Sequence, residues 1–379
     1  MSYYPLPPEI LDLIADLLHD EPAALKECCV ASKSWVPRTR KHLFAHVEFH
    51  TPNSVEVWKE TFPDPSNSPA RHTRSLSIRG FPVATAAGAD IGGWIRTFNR
   101  VVHLRLECPY EEDHQVSLTP FHGLSPDIKS LYLTCTYPAA FDLVCSFPLL
   151  EDLEFDPFSH GSDAFEWDAP PTSPKLTGFL NLGVPWGVVV RQLLDFPNGL
   201  HFAKIMVWCF TVTDIKSITD LVSRCSATLK SFTVYYCFSG ASTLLLRLFG
   251  TSSLPADVVT LDLSETTKLE DVEFRCSEPN VRSITMALQT AKFESLQRIT
   301  ILADATTFAN PIEETICQEW QDLDRLLAQL WTSHSVCPKV TFKKIKGWGG
   351  FRDVPPSLLP ELTRRGVVDV VEYGTTDNY

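Results

Sequence analysis

The sequence predicts an α/β protein in which a short helical module precedes an irregular solenoid of parallel strands. Two observations predict this fold class. Three helical segments lie within residues 6–44, and one short apolar pattern recurs at near-constant intervals from residue 71 onward. Hydrophobic residues make up 44% of the 379 residues and charged residues 21%, which is the ordinary mixture of a chain that folds around a packed core.

The first helix is predicted within residues 9–19, where apolar residues cover an arc of roughly 160° at about 100° per residue. These residues are Ile10, Leu11, Leu13, Ile14, Leu17 and Leu18. A surface helix that packs on one neighbour needs only about 100° of apolar arc. The width of the arc therefore indicates that the helix contacts its own module on one flank and something else on the other.

Two further helices complete the module. One begins at Pro22, since proline suits a first helical turn, and the other begins near Ser34. Their apolar side chains are Leu25, Cys28, Cys29, Trp35, Leu43 and Phe44. Three short helices cannot close a stable core alone, so they need either further chain or a partner protein.

The order of residues in this module carries a family resemblance. It reads Leu6-Pro7-x-Glu9-Ile10, Ile14, Leu17-Leu18, Leu25, Cys28, Ala31-Ser32-x-x-Trp35, Arg40, Leu43-Phe44. This order resembles an F-box, in the form common among fungal F-box proteins. The resemblance implies that residues 1–50 dock on the Skp adaptor of a cullin-based ubiquitin ligase. The implied adaptor-binding residues are Leu6, Pro7, Ile10, Leu11, Ile14 and Leu17.

Two alternatives concern the same segment. The helices could instead form a cap that shields the end of the following domain, although a cap explains the wide apolar arc only in part. The basic cluster Arg38, Arg40, Lys41 and His42 is interpreted as a solvated helix face rather than a phosphate site, because the chain as a whole is acidic.

The pattern apolar-x-x-apolar-x-apolar recurs through residues 71–345, with intervals of 28, 27, 22, 26, 26, 27, 40 and 27 residues between its middle anchors. The anchors are Leu76, Leu104, Leu131, Leu153, Phe179, Ile205, Phe232, Val272 and Ile299. The pattern resembles the leucine-rich repeat, in which each unit supplies one short parallel strand and a return segment. Residues 71–379 are therefore predicted to form a leucine-rich-repeat-like domain with a C-terminal cap, after a linker over residues 51–70.

Three details refine the repeat interpretation. Cys108, Cys135, Cys209 and Cys276 each follow an anchor by four residues, so strand alternation assigns them to the interior of the solenoid rather than to a zinc site. The asparagine ladder of regular leucine-rich repeats is missing, which predicts an irregular arc. The interval of 40 includes residues 255–265, which form either an additional strand or a packed insertion.

The closing region is predicted to combine helices and strands. Apolar residues at helical spacing predict a long helix over residues 313–331. A second helix is predicted over residues 357–365, between strands at residues 339–345 and 367–373. These stretches resemble the C-termini of fungal F-box repeat proteins.

Charge and motif content exclude several function classes. With 33 basic against 46 acidic residues the formal net charge is −13, which argues against a general nucleic-acid-binding surface. No apolar run reaches the roughly 18 residues of a membrane helix, and the N-terminal residues lack the pattern of a secretory signal, so an intracellular protein, cytoplasmic or nuclear, is expected. No zinc spacing, phosphate loop or G-x-S-x-G motif occurs, so we expect no metal, no cofactor and no enzymatic activity.

These observations predict the substrate-recognition subunit of a Skp-cullin-F-box ubiquitin ligase, which acts in ubiquitin-dependent protein degradation. The alternative is a leucine-rich-repeat scaffold for protein interaction that never joins a ligase. The target-binding residues are not identified by the sequence, because repeat arrays bind through surface residues that vary freely on a constant frame.

Overall fold

A computed structural model describes residues 6–79, 93–107, 118–135, 139–157, 172–183, 187–209, 212–236, 260–276, 281–304, 314–334, 336–345 and 354–373. Within these ranges the protein is α/β, with parallel strands and several helices. The predicted fold class is therefore confirmed at this level, and the succession of parallel strands is consistent with a solenoid-like arrangement. The chain divides into two compact units, Met1–Lys175 and Leu176–Tyr379.

Proline is the first or second residue of most helices described in the first unit. It is well suited to the first helical turn, because its φ is already helical and its missing N–H is not needed there. The helices are α1 Pro8–Leu17, α2 Pro22–Ala31, α3 Val36–Leu43, α4 Pro52–Thr61 and α5 Ala139–Cys145. In α3 the proline, Pro37, follows the first residue. A reciprocal pair of hydrogen bonds between Thr51 and Ser54 caps α4.

The first unit has five parallel strands among its described residues, each paired with the next along the chain. They are β1 His46–Phe49, β2 Ser75–Arg79, β3 His103–Glu107, β4 Ser130–Cys135 and β5 Asp152–Pro157. The anchors Leu76, Leu104, Leu131 and Leu153 lie opposite one another in this order. All four are at most 2% exposed. The repeated anchor therefore forms one continuous buried row across the strands.

One strand of this unit precedes the segment that the sequence analysis assigned to a linker. Strand β1 pairs with β2, and Val47 lies opposite Leu76 in the anchor row. The predicted linker, residues 51–70, contains α4 and the 3-10 turn Pro65–Asn67. A second 3-10 turn, Pro69–His72, begins at its end. The parallel sheet thus begins at residue 46 rather than after residue 70.

An aromatic cluster explains why the segment after β1 folds. The ring of Trp58, on α4, lies 5.8 Å from that of Phe44, 5.6 Å from Phe49 and 5.6 Å from Phe98, measured between centroids. The contacts with Phe44 and Phe49 are edge-to-face, the geometry that aromatic quadrupoles favour. Phe49 and Phe98 are buried. The cluster makes α4 part of the packed core of the first unit.

A ladder of backbone hydrogen bonds organises the amino-terminal ends of the strands. The amides of Arg74 and Ser75 both donate to the carbonyl of Ala45, at 2.8 and 3.0 Å. The amides of Val102 and His103 donate in the same way to the carbonyl of Arg74, at 2.8 and 3.0 Å. Because main-chain groups satisfy each other at this step, the repeats stack without an asparagine side chain.

The second unit has seven strands and six helices among the described residues. Its strands are β6 Phe179–Leu182, β7 Lys204–Cys209, β8 Ser231–Tyr236, β9 Asp271–Cys276, β10 Arg298–Asp304, β11 Cys337–Ile345 and β12 Val368–Tyr373, each parallel to its neighbour in this order. Its helices are α6 Gly187–Leu194, α7 Val212–Arg224, α8 Val281–Thr290, α9 Glu314–His334, α10 Val354–Leu358 and α11 Pro360–Arg364.

One predicted anchor in this unit is wrong by a single residue. Leu180, not Phe179, lies opposite the anchor Ile205, whereas Phe179 lies opposite Lys204. Leu180 is fully buried and Phe179 is half-buried. Side chains alternate between the two faces of a strand, so a shift of one residue exchanges the interior and exterior sets.

The long interval in the repeat does not place an additional strand between the two strands that flank it. Strands β8 and β9 pair directly, with Phe232 opposite Val272. Of residues 255–265, only residues 260–265 are described. Within them Leu261 and Leu263 are buried but lie in no strand, and the amide of Leu263 donates to the hydroxyl of Thr290 at 2.9 Å. The described part is a packed insertion.

The closing region contains the predicted long helix α9, and the strands β11 and β12 flank the two short helices α10 and α11. Asp324 on α9 is nearly fully buried. Its carboxylate accepts hydrogen bonds from the amides of Glu361 at 2.9 Å and Leu362 at 3.0 Å, in the first turn of α11. A carboxylate satisfies exposed amides at a helix start, so Asp324 joins α11 to α9.

Of the four cysteines that the sequence analysis assigned to the interior, Cys209 is buried. Cys108 lies outside the described residues, as do the side chains of Cys135 and Cys276. The interior position is therefore confirmed for Cys209, and for the other three cysteines it stays a prediction.

The buried anchor row predicts unequal effects of two Leu→Ala substitutions in the first unit. Leu131 is 0% exposed and Leu149 is 51% exposed. We expect Leu131→Ala to lower the free energy of unfolding by about 2–5 kcal/mol, because a buried cavity remains. The matched Leu149→Ala should change it by less than about 0.5 kcal/mol. Urea unfolding followed by circular dichroism measures both, and equal losses would contradict the assignment of the anchor row to the core.

Candidate functional site

One side of α1 carries a row of exposed apolar side chains. Leu6 is 53% exposed, Ile10 42%, Leu13 56% and Leu17 75%. Ile10, Leu13 and Leu17 follow each other at intervals of three and four, so they share one side of the helix, and Leu6 lies just before the helix begins. We name Leu6, Ile10, Leu13 and Leu17 the apolar stripe. An exposed row of this kind is typical of a surface that another protein covers.

The exposed apolar residues of the protein are concentrated in this module. Among the described residues, nine large apolar side chains are exposed, and five of them lie between residues 6 and 30. The fifth is Val30, at the end of α2. Single exposed apolar side chains are ordinary on a protein surface, whereas three on one side of a ten-residue helix, with a fourth just before it, are not.

The adjoining flank of α1 faces its own module. Ala15 is fully buried, and Leu11, Ile14 and Leu18 are half-buried. The wide apolar arc of α1 is therefore divided into a covered flank and the uncovered apolar stripe. The covered flank is the contact within the module that the arc predicted, and the contact with something outside it stays a prediction.

A charged clamp fixes α1 against α3. The carboxylate of Asp16 accepts a hydrogen bond from Nε of Arg38 at 2.6 Å and a second one from Nη2 of the same guanidinium. Nε2 of His42 lies 2.7 Å from the same carboxylate. The hydrogen bond from Arg38, followed by that from His42, lowers the pKa of Asp16 below its ordinary value. A bidentate guanidinium contact also fixes orientation, so the clamp determines which flank of α1 faces outward.

Helix α3 is the centre of the module, since both α1 and α2 contact it. Thr39 on α3 is fully buried, and its hydroxyl donates to the carbonyl of Trp35 at 2.7 Å. The sulfur of Cys29, on α2, lies 2.7 Å from the same hydroxyl. Leu25, 1% exposed, is the buried apolar residue of α2. Helix α3 also contacts the turn Pro69–His72, which connects the module to β2.

The structure divides the six residues that the family resemblance assigned to adaptor binding. Leu6, Pro7, Ile10 and Leu17 are exposed. The remaining two, Leu11 and Ile14, are half-buried on the inner flank.

One exposed residue of this surface was not assigned by the sequence analysis. Leu13 is more exposed than Ile10, and at about 100° per residue it lies within roughly 60° of Ile10 around the helix axis. The proximity of Leu13 to Ile10 could have been predicted from helical spacing alone. The apolar stripe thus includes Leu13 in place of Leu11 and Ile14.

The described residues contain no arrangement typical of a metal centre or a membrane span. No group of three or more His, Cys, Asp or Glu side chains could hold a metal ion in the parts of the chain that the structure covers. Within the same parts, no helix has the length and apolar content needed to cross a bilayer.

Burial raises the pKa of the Cys225 thiol to about 12, which makes its thiolate, the reactive form, rare.

Comparison with known proteins adds no assignment, because the chain matches no protein-family model and no curated protein sequence.

The clamp predicts a pH-dependent effect of Asp16→Asn. A carboxylate whose pKa falls on folding stabilises the fold above its ordinary pKa of 3.8 and loses that contribution as the pH falls towards its folded-state value. We expect Asp16→Asn to lower the urea midpoint at about pH 7. The difference from the unmodified protein should shrink below about pH 4.

Asp12→Asn is the matched control for this prediction. Asp12 is exposed on the same helix, and it makes no hydrogen bond or ion pair with another described residue. Its carboxylate acts on Arg38 only through space, as the smallest of the effects on that side chain. Its substitution should change the midpoint little at any pH. A constant difference between Asp16→Asn and the unmodified protein from neutral to acidic pH would contradict the role of the clamp.

Proposed function

We propose that the protein is the substrate-recognition subunit of a Skp-cullin-F-box ubiquitin ligase. The observation that carries this proposal is the apolar stripe of Leu6, Ile10, Leu13 and Leu17, exposed on a helix whose other flank is packed. In this proposal residues 1–50 are an F-box-like module, the stripe binds the Skp adaptor, and the adaptor connects the protein to a cullin.

The energetics of the stripe support a protein partner. Fully burying a leucine side chain is worth about 1.5–3 kcal/mol relative to leaving it in water. Covering the remaining exposed parts of four such side chains yields a sizeable share of the free energy that a stable protein complex requires. Because the clamp holds α1 in place before the partner arrives, little ordering cost is added on binding.

The parallel strands that follow the module would serve as the frame that holds a target protein. They are interpreted as irregular leucine-rich repeats, since a buried anchor recurs in each strand from β1 to β10 and the strands follow one another in chain order. The chain would contribute no covalent chemistry. Its effect would be proximity, because holding a target lysine near the transfer machinery raises its effective concentration. Such a complex acts in the cytoplasm or the nucleus.

A scaffold function is the second candidate, and one contact favours it. Helix α3 packs on the turn Pro69–His72, and β1 follows α3 after two residues. The module therefore also covers the start of the sheet, as a helical cap does. A cap has no need of exposed leucines on its outer side, however, so the apolar stripe favours the adaptor-binding function.

Two substitutions on the apolar stripe test this function. We expect Leu13→Glu with Leu17→Glu to weaken adaptor binding by at least about 100-fold, since two apolar contacts are lost and two carboxylates would be buried without partners. The melting temperature should stay unchanged, because both side chains are exposed. Binding is measured by isothermal titration of the full chain with purified Skp adaptor.

The matched control places the same charges on other exposed apolar residues of the first unit. Val57 is 52% exposed and Leu149 51% exposed, so Val57→Glu with Leu149→Glu adds the same charge away from α1. Adaptor affinity should be unchanged in this variant. If the unmodified chain fails to bind the adaptor, or if the stripe variant binds it as tightly, the scaffold function replaces the ligase function.

A further inference from the structure

The structure separates the basic cluster of α3 into two pairs. Arg38 and His42 contact the carboxylate of Asp16 within the clamp. Arg40 and Lys41 make no ion pair with any described carboxylate. Half of the cluster that appears contiguous in the sequence is therefore neutralised, and the other half remains positively charged.

Three arginines from distant parts of the sequence join this remaining pair. Helix α3 contacts the turn Pro69–His72, which carries Arg71. Arg74 lies directly before β2, and its guanidinium donates to the carbonyl of Arg100 at 3.4 Å. This contact joins the Arg74 side chain to the main chain of Arg100, at the amino-terminal ends of β2 and β3, and it neutralises neither cation. Lys41, Arg71, Arg74 and Arg100 are exposed.

The pKa of His72 is affected by the charges of these basic residues. Burial lowers the pKa of its imidazole first, and the charges of Arg71, Arg40, Arg100 and Lys41 lower it further. Positive charges on α3, on the turn before β2 and on the residues before β3 therefore all act on the imidazole of His72. We name Arg40, Lys41, Arg71, Arg74 and Arg100 the basic patch.

The basic patch differs from several other basic residues of the first unit, which pair with carboxylates, although Lys26, Lys33, Arg96 and Lys175 also have no ion pair among the described residues. Arg79 pairs with Glu48 at 2.7 Å, and Lys129 pairs with Glu151 at 2.8 Å. Arg105 likewise pairs with a carboxylate on its own strand. In contrast, none of the five patch residues pairs with a carboxylate in the described parts of the chain. Five cations without carboxylate partners thus lie on contacting segments of a chain whose net charge is −13.

We propose that the basic patch is a docking surface for an acidic segment, rich in aspartate and glutamate, of a partner protein. The charges are complementary: five cations without intramolecular partners fit a segment that carries several carboxylates. The patch uses none of the stripe residues, so this interaction is separate from the proposed binding of the adaptor. It gives the protein a second recognition surface.

An acidic protein segment fits this surface better than a nucleic acid does. Nucleic-acid binding requires basic residues along a long track, because each phosphate contact contributes to affinity. The basic patch is a single group on a strongly acidic chain, which repels a polyanion outside it. A short acidic segment matches the patch without extending far over the surrounding negative surface.

The experiment uses the full chain and a fluorescein-labelled peptide of about ten glutamates, which reaches about 33 Å when extended. Fluorescence anisotropy should detect binding at about 0.1 M salt, where the Debye length is about 10 Å, and much weaker binding at about 1 M, where it is about 3 Å. Arg71→Gln with Arg100→Gln should weaken binding at the lower salt by at least about tenfold.

The matched control is Arg298→Gln with Lys339→Gln, which removes two exposed cations that pair with Asp271 at 2.9 Å and Asp369 at 3.3 Å. This variant has the same net charge as the patch variant and should retain the affinity of the unmodified protein within about twofold. Three results would overturn the proposal. These are no binding of the peptide by the unmodified protein, equal loss in both variants, and tighter binding of a single-stranded oligonucleotide that the patch variant loses.

Discussion

The contact between the Asp16 carboxylate and the side chains of Arg38 and His42 determines which side of α1 is exposed on the amino-terminal module. It fixes α1 on α3 through hydrogen bonds whose geometry allows one orientation. In that orientation Ala15 is buried while Leu13 and Leu17 stay in water. A single polar contact on one flank therefore explains why apolar side chains on another flank remain exposed and available to a partner.

The sequence predicted the fold class and most of the strands because the repeat pattern and strand alternation report the same buried row. The prediction was wrong at β6, where Phe179 and Leu180 are adjacent and both apolar, so alternation alone could not select the interior one. Strand β1 was not predicted, because its four residues fall within residues 1–50, which were assigned to the helical module. Only the pairing of Val47 with Leu76 reveals it as part of the anchor row.

The candidate site was less accessible to sequence reasoning than the fold. Apolar periodicity located α1 but did not tell its two flanks apart, since the partner of Asp16 lies 22 residues further along the chain. The family resemblance assigned Leu11 and Ile14 to adaptor binding and did not assign Leu13, whereas the structure shows Leu13 exposed and the other two half-buried. The sequence analysis found Arg40 and Lys41 in a basic cluster but did not place Arg71 beside them, because the packing of α3 on the turn before β2 brings the two segments together.

The most direct test of this account is hydroxyl-radical footprinting of the full chain, alone and with purified Skp adaptor, read out by mass spectrometry. In the free chain Leu13 and Leu17 should be modified rapidly and Leu25 slowly, because their side chains differ in exposure. The adaptor should protect Leu13 and Leu17 and leave Val57 and Leu149 unchanged. Slow modification of Leu13 and Leu17 in the free chain would contradict the central claim that α1 presents an uncovered apolar surface.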